Sequence, residues 1–502
     1  MTGQRDSSDL AGRLAREPLV GAVQQALRRA GVAEAWLVGG LLRDLAAGAA
    51  QEGGRVDLDV ALPGSGAAAA AEVARVVRGT AFALDEAQGA WRVACPGPIG
   101  DTVDLVPLRA PDLAGDLRGR DFTINAVAWD LLGERGLRDP LGGLVDLGRR
   151  RLALCSPASL TDDPLRVLRA YRFAFGLGLE WAEGLPAALA SAAAGLATVS
   201  PERVRTELFA VLALPNGSRA LRALAEHGVL VELFAFVRSW TSFDQGDYHS
   251  HDLLEHSLRA AEAAEALAAD PERAGLPRPD ALRRHLAEEL EAGVSREALL
   301  KAVAFLHDLA KPETLTVEPG GRRRFLGHEV QGGHLLRRVL GDLRLGRRAR
   351  AAAQNIVAAH LRLFGLAHQD PPTRSARLRY LRDLRADVPE ALLLSIADEI
   401  ATGPNPPALP AVLRASRELL ALHWEQREKR EIPPLLRGRD LLEALGLAEG
   451  PAVGELLRRV AEAEARGEVA TRGEALALAR RLVEQLPEEE GAPASGAGKT
   501  EA

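Results

Sequence analysis

Residues 37–61 read LVGGLLRDLAAGAAQEGGRVDLDVA. An apolar run closes on Gly39 and Gly40, Arg43 and Asp44 follow, and Asp57 and Asp59 then stand two apart in a β-like run. Side chains alternate along a strand, so residues spaced by two share a face. Two carboxylates on one face hold hard divalent cations such as Mg²⁺. A D-x-D alone also fits a polar strand end. The two glycines shift that balance, because bare backbone N–H groups let a triphosphate come close. Asp104, in the strand-like run TVDLVPLR (102–109), is the third acid expected to complete the site.

Working outward, residues 19–150 mix short β-like runs with helical ones such as Ala67–Arg78, which predicts an α/β or α+β head. From 151 onward strand signals nearly vanish, and leucine and alanine recur at helical spacing. Turn-rich stretches at 239–250 and 401–410 are expected boundaries. The first 18 residues are polar and the last 15 are small and polar, so both ends are expected to be disordered.

The chain has 502 residues, enough for three or four folded units, with 47% apolar and 26% charged residues. Its net charge is −6, so nucleic-acid contacts must come from local arginine patches. Cys95 and Cys155 sit in no metal-type spacing and argue against a disulfide framework. The N-terminus lacks a signal-peptide core, and no apolar run of about 18 residues exists, so no membrane span and a cytoplasmic location are expected.

Four further stretches follow in order: RDFTINAVAWDL (120–131), RDPLGGLVDLGRRRL (138–152), LTDDPLRVLRAYRFAFGLGLEW (160–181) and SPERVRTELFAVL (200–212). With the G-G-x-x-R-D…D-x-D of residues 39–59, this series resembles the class II tRNA nucleotidyltransferase and bacterial poly(A) polymerase family over residues 20–240. The resemblance implies a nucleotidyltransferase head of the DNA polymerase β type and an all-α neck. It implies that Gly39, Gly40, Arg43 and Asp44 shape the triphosphate loop, and that Asp57 and Asp59 hold Mg²⁺ with Asp104 as the third catalytic acid. Arg120, Asp121 and Asn125 would contact ribose and triphosphate, and Glu202 and Arg203 would brace the neck. Asp162, Asp163, Arg166, Arg169 and Arg172 would line the nucleotide pocket.

The Asp163/Arg166 pair also has a physical reading. Three residues apart on a helix, the two would share a face. A carboxylate accepts from the exocyclic amine of C or A, where U and G carry a carbonyl, and the guanidinium donates to the adjacent ring acceptor. Leaving such groups unpaired costs about 1–3 kcal/mol each, so one pair would select C and A without a template strand. An i,i+3 surface ion pair is the alternative. Only the 15 residues LVPLRAPDLAGDLRG separate Asp104 from Arg120. Many CCA-adding relatives carry a longer segment there, and relatives that add only C tend to lack it.

Further on, His256, His307-Asp308, His328, His360 and Asp398 recur in the order H…HD…H…H…D. Imidazoles and carboxylates on separate helices can converge on one divalent transition metal. The order resembles the HD-domain metal phosphohydrolases over about 249–400. His249, His251, His334, His227, His368 and His423 are expected on the surface or at helix ends. Residues 435–482, with Gly438, Asp440, Gly450-Pro451 and Gly454, resemble the tail module that follows in this family, and Arg437, Arg439, Arg458 and Arg459 are its candidate RNA contacts.

The expectation is therefore a disordered 1–18, a head at 19–150, a helical neck at 151–240, an HD domain at 249–420, a helical tail at 430–487 and a disordered 488–502. The leading function is template-independent addition of the 3′-terminal CCA of tRNA from CTP and ATP. CC-only addition, A-only addition and poly(A) synthesis stay open, as does an HD phosphohydrolase with an inactive head.

Overall fold

A computed structural model describes residues 10–48, 56–97, 100–133, 135–246, 248–369, 372–431, 435–447, 450–465, 468–469 and 471–483. Contacts divide the chain into one unit through Leu420 and another from Ala421.

In the first unit, seven strands form one mixed sheet: β1 (Trp36–Val38), β2 (Asp57–Leu62), β3 (Thr80–Asp85), β4 (Ala90–Ala94), β5 (Thr102–Pro107), β6 (Ala128–Asp130) and β7 (Leu137–Arg138), in the order β3-β4-β5-β2-β1-β6-β7. Strands β2 and β5 run parallel, and the other pairs are antiparallel. Alternation sorts their side chains. Leu37, Leu58, Val60, Leu62, Val103 and Leu105 face one way and pack with α1 (Pro18–Arg29) and α3 (Ala67–Val77). Trp36, Val38, Ala61 and Ala128 face the other way, on the side that also carries the carboxylates. Helix α2 (Gly40–Ala47) leaves the sheet directly after β1.

A helical layer follows the head: α4 (Arg166–Leu177), α5 (Pro201–Leu212) and α6 (Gly217–Glu226). Next come α7 (Leu253–Ala269), α8 (Arg296–Leu306), α9 (His328–Asp342), α10 (Arg347–Ala359), α11 (Arg374–Leu384) and α12 (Val388–Ala401). Helix α12 is buried along nearly its whole length, including Glu390, Asp398 and Glu399, and forms the axis of this bundle. In the second unit, α13 (Gly438–Leu445), α14 (Pro451–Ala465) and α15 (Arg472–Val483) close a small core around Leu441, Leu456 and Val460.

Two expectations change. Residues 10–14 are helical, and Leu10 and Leu14 are 3% exposed in the head core, so order begins well before residue 19. The polar letters around them hid an amphipathic turn that only tertiary contact stabilises. The helical region also holds short two-stranded pairs at Arg151–Leu152 with Glu180–Trp181, at Glu289–Glu291 with Val294–Ser295, and at Leu315–Val317 with Arg323–Phe325. The expected disorder of residues 1–9 and 488–502 lies outside the described residues. Among those described, no helix is long and apolar enough to cross a membrane, and both cysteines are free.

Leu14→Ala should destabilise the head by about 2–4 kcal/mol, as expected for a buried leucine. A lower urea midpoint of the head's unfolding transition is the readout. An unchanged midpoint would show that this turn does not belong to the core.

Candidate active site

The parallel register places Asp57 beside Thr102 and Asp59 beside Asp104, so all three acids stand on one face of the sheet. Thr102 Oγ1 donates to Asp57 (2.7 Å), and Arg92 on β4 grips Asp104 with two N–H groups (2.6 and 2.7 Å). Burial and the neighbouring charges of Asp104 and Asp57 push the pKa of Asp59 upward. Carboxylates crowded in this way, with oxygen donors only, fit a hard divalent cation. Gly39 sits opposite Asp59 at φ +82°, and a Cβ there would lie 2.4 Å from Asp59 Oδ2. Only glycine allows that approach.

From Gly39–Gly40 the chain enters α2, which carries Arg43 and Asp44. Arg43 holds Asp44 (2.8 and 3.0 Å) and donates to Asn125 Oδ1 (2.7 Å). Asn125 in turn donates to Asp121 (3.0 Å), and Asp121 accepts two N–H groups of Arg169 on α4 (2.9 and 2.7 Å). Arg169 and Arg172 both reach Glu207 on α5 (3.4 and 2.7 Å). Burial alone would raise Asp121, but Arg169, Asn125 and the Phe122 amide hold its pKa below the ordinary value. Three guanidiniums, of Arg43, Arg169 and Arg172, lie 5.0, 5.4 and 4.4 Å from the Phe173 ring centroid. This relay joins head to neck. Neither Glu207 nor Phe173 was singled out from sequence. Their helical spacing marks them only as inward-facing residues.

Asp163 and Arg166 stand differently from the expectation. Asp163 precedes Pro164, which drives it into extended backbone (φ −148°, ψ 99°), so the helix starts at Arg166 and the two do not share a helical face. Asp163 instead takes Arg203 Nη2 of α5 (2.8 Å). Arg166 is buried and donates to the carbonyls of Gly119, Arg120 and Ser159 (2.8–3.2 Å). Asp162 is exposed at the end of the preceding short helix. Arg120 is bound to the buried Asp116 (3.1 and 3.0 Å), and Asp116 also accepts the Arg109 amide (3.0 Å). The short segment between Asp104 and Arg120 is thereby pinned at both ends.

A second centre forms in the helical bundle. Asp252 caps α7 by accepting the Glu255 amide, which sets His256 one turn in. His307-Asp308 follow the end of α8, His328 opens α9, His360 follows α10, and Asp398 projects from the buried α12. His256 and His307 each approach both Asp308 and Asp398 (3.1–3.4 Å), and His328 reaches Asp308 (3.1 Å). Two groups emerge, His256/His307/Asp308/Asp398 and Asp308/His328/His360, bridged by Asp308. Nδ1 of His307, His328 and His360 each donates to a carbonyl three residues earlier (2.6–2.8 Å), which turns Nε2 inward. Nε2 of His256, His307 and His360 makes no well-formed hydrogen bond, as befits metal-ligating nitrogens. Burial alone would lower His307, but Asp308 and Asp398 raise it to about 10, whereas burial and the neighbouring His307 hold His360 at about 4.

His249, expected on the surface, is a correction. It is partly buried, its ring packs 4.7 Å from that of His256, and Nε2 lies 3.3 Å from Lys311 Nζ. Lys311 binds Asp308 (2.6 Å) and Gln245 (2.7 Å) and helps line a cavity of about 380 Å³ over the cluster. The turn-rich sequence around His249 gives no periodicity from which to place it. In the tail, Arg439 pairs with Glu443 (2.8 Å), and Arg458 and Arg459 with Glu455 (2.5 and 3.3 Å), while Arg437 is the exposed cap of α13. Gly438, Gly450 and Gly454 line one groove with Arg439.

Asp308 and Asp398 favour the protonated form of His307, so uptake of a divalent transition metal should release protons and tighten as pH rises. Titration calorimetry in buffers of different ionisation enthalpy reads this directly. A binding heat that does not depend on the buffer would contradict it.

Residues 253–403 match the family described as HD domain, and residues 180–240 match "Probable RNA and SrmB- binding site of polymerase A". The chain is 37% identical over 460 residues to the A-adding tRNA nucleotidyltransferase of Deinococcus radiodurans, covering 90% of this chain and 96% of that one. It is 33% identical to the CC-adding tRNA nucleotidyltransferase of Geobacter sulfurreducens, covering 89% and 92%. The fold matches the Thermotoga maritima CCA-adding enzyme complexed with tRNA at a TM-score of 0.56 and 18% identity, over 94% of this chain and 98% of that one. The carboxylate face, the relay to the neck and the full-length relatedness agree: this chain belongs to the tRNA nucleotidyltransferase family.

Proposed function

We propose that this chain builds the CCA end of tRNA from CTP and ATP without a template strand. The observation that carries the reading is the gathering of Asp57, Asp59 and Asp104 on one face beside Gly39. Asp57 and Asp59 are the residues that would hold Mg²⁺. Bound there, the ion lowers the pKa of an RNA 3′-hydroxyl and offsets charge at the α-phosphate and on the departing pyrophosphate.

The chain's own residues supply the rest. Gly39 and Gly40 admit the triphosphate to the backbone. The relay from Arg43 to Glu207 keeps the guanidiniums of Arg169 and Arg172 turned toward the head. Asp163, half-buried and held by Arg203, accepts the exocyclic amine of C or A. Arg166 braces the junction through its three carbonyl bonds and has donors left over for the base. This chemistry belongs in the cytoplasm, with tRNA, CTP and ATP as partners.

A second reading within the same chemistry rests on the short segment pinned by Asp116. A pocket that cannot rearrange suits one nucleotide, and both relatives named above are partial adders. Under this reading the chain performs the A step or the CC step alone. For the histidine centre, we propose a second activity, metal-dependent hydrolysis of a phosphoester, because its donor set of imidazoles and carboxylates suits a divalent transition metal.

Incubation of tRNA transcripts ending before CCA, after C and after CC, each with CTP or ATP, tests the proposal by 3′ extension at single-nucleotide resolution. Full extension supports complete CCA synthesis, and a single step supports partial addition. Untemplated long A tracts, or no extension, would overturn it. Asp59→Ala should reduce extension by on the order of 10³-fold or more, whereas Asp308→Ala should leave extension intact and remove phosphoester hydrolysis. Full extension by Asp59→Ala would contradict the assignment of the head.

A further inference from the structure

Residues 343–387 carry ten arginines against three aspartates, in a chain whose net charge is −6. The fold gathers part of this excess into one open groove of about 670 Å³ between the first turns of α10 and the end of α11. Arg348, Arg382 and Arg385 line it beside the small apolar Ala351 and Ala352, and Asp383 and Asp387 line it as well. The acids nearby are already engaged. Asp387 and Glu390 are taken by Arg296 (3.4 and 2.6 Å), and Asp383 by Arg362 (3.0 Å). Arg382 keeps only a loose contact with Asp383 (3.6 Å). Arg347, Arg348 and Arg385 are exposed and enter no ion pair among the described residues.

Arg385 (φ +52°) and Arg344 (φ +59°) both carry a positive φ, which residues with a side chain seldom adopt. The groove also lies beyond a row of arginines on the neck. Arg203 on the first turn of α5 binds Asp163, Arg205 two residues on donates to the Arg344 carbonyl (2.7 Å), and Arg347 and Arg348 follow at once. A line of cationic side chains thus runs from the nucleotide end of the neck onto the histidine-bearing bundle.

We infer that the groove of Arg348, Arg382 and Arg385 binds the phosphodiester backbone of the RNA substrate, extending the RNA-binding surface beyond the neck. Several separate guanidiniums along an open channel match a run of phosphates. A lone nucleotide would need an enclosed apolar slot, and the small side chains of Ala351 and Ala352 do not form one. The inference rests on the tRNA reading above.

The test uses the full-length protein with Arg348→Ala, Arg382→Ala and Arg385→Gly combined. All three positions are exposed, and glycine relieves the strain at 385, so folding should be preserved. Direct binding of labelled tRNA is measured across salt concentrations, and nucleotide addition is measured in parallel. We expect tRNA affinity to fall about 10–100-fold near 0.15 M salt and the slope of log affinity against log salt to drop by about 2–3. The KM for tRNA should rise, with kcat and the KM for the nucleotide triphosphate unchanged. Unchanged tRNA affinity and salt slope would overturn the inference. So would a change confined to binding of an acidic protein. If the unaltered protein binds tRNA but extends none, the proposed function fails while the groove is still judged by the binding arm.

Discussion

Asp121 and Arg169 form the ion pair on which the geometry of the nucleotide site depends. Two N–H groups of Arg169 converge on one carboxylate oxygen, at 2.7 and 2.9 Å, where Asp121 is almost fully buried. Breaking the pair is costly mainly on the Asp121 side, because Asp121 without Arg169 would be a buried charge that has lost its cation, whereas Arg169 is partly exposed and also meets Glu207. Each neighbour therefore has a fixed part. Asn125 and the Phe122 amide fill the other carboxylate oxygen, Glu207 takes the far side of Arg169, and Arg43 reaches back to Asn125 from the glycine turn. The head can move against the neck only by breaking several of these bonds together.

The two centres solve opposite electrostatic problems. At the head, Asp59 is raised by burial and by like charges, while Arg92 offsets part of the excess at Asp104. In the bundle, Asp308 and Asp398 are buried yet sit well below their ordinary pKa, Asp308 because His307, Lys311 and His256 face it and Asp398 because His256 and His307 do. The first arrangement offers oxygen to a hard cation. The second offers mixed nitrogen and oxygen ligands whose tautomers are set by backbone carbonyls.

Much of this was legible in the sequence, and the reasons are specific. Asp57 and Asp59 share a face because a strand repeats every two residues, and the five ordered motifs carried the family. The H…HD…H…H…D order survives folding because each histidine sits at or near a helix terminus that the punctuation already marks. What escaped reading depends on tertiary contact or on proline. The turn at Leu10–Leu14 is stable only against the head core. Asp163 left the helix because Pro164 follows it. His249 reached the histidine cluster through an irregular loop, and Glu207 and Phe173 looked like ordinary buried positions.

The proposed function requires Asp121 and Arg169 to act as one joint that aligns the carboxylate face with the neck. A double-mutant cycle of Asp121→Asn and Arg169→Gln, read as kcat/KM for nucleotide addition to tRNA, tests it most directly. If the account holds, either substitution alone loses most of the activity and the pair together loses little more, a coupling of about 2 kcal/mol or more. Losses that simply multiply would show that the two residues act independently and that the joint is not what aligns the site.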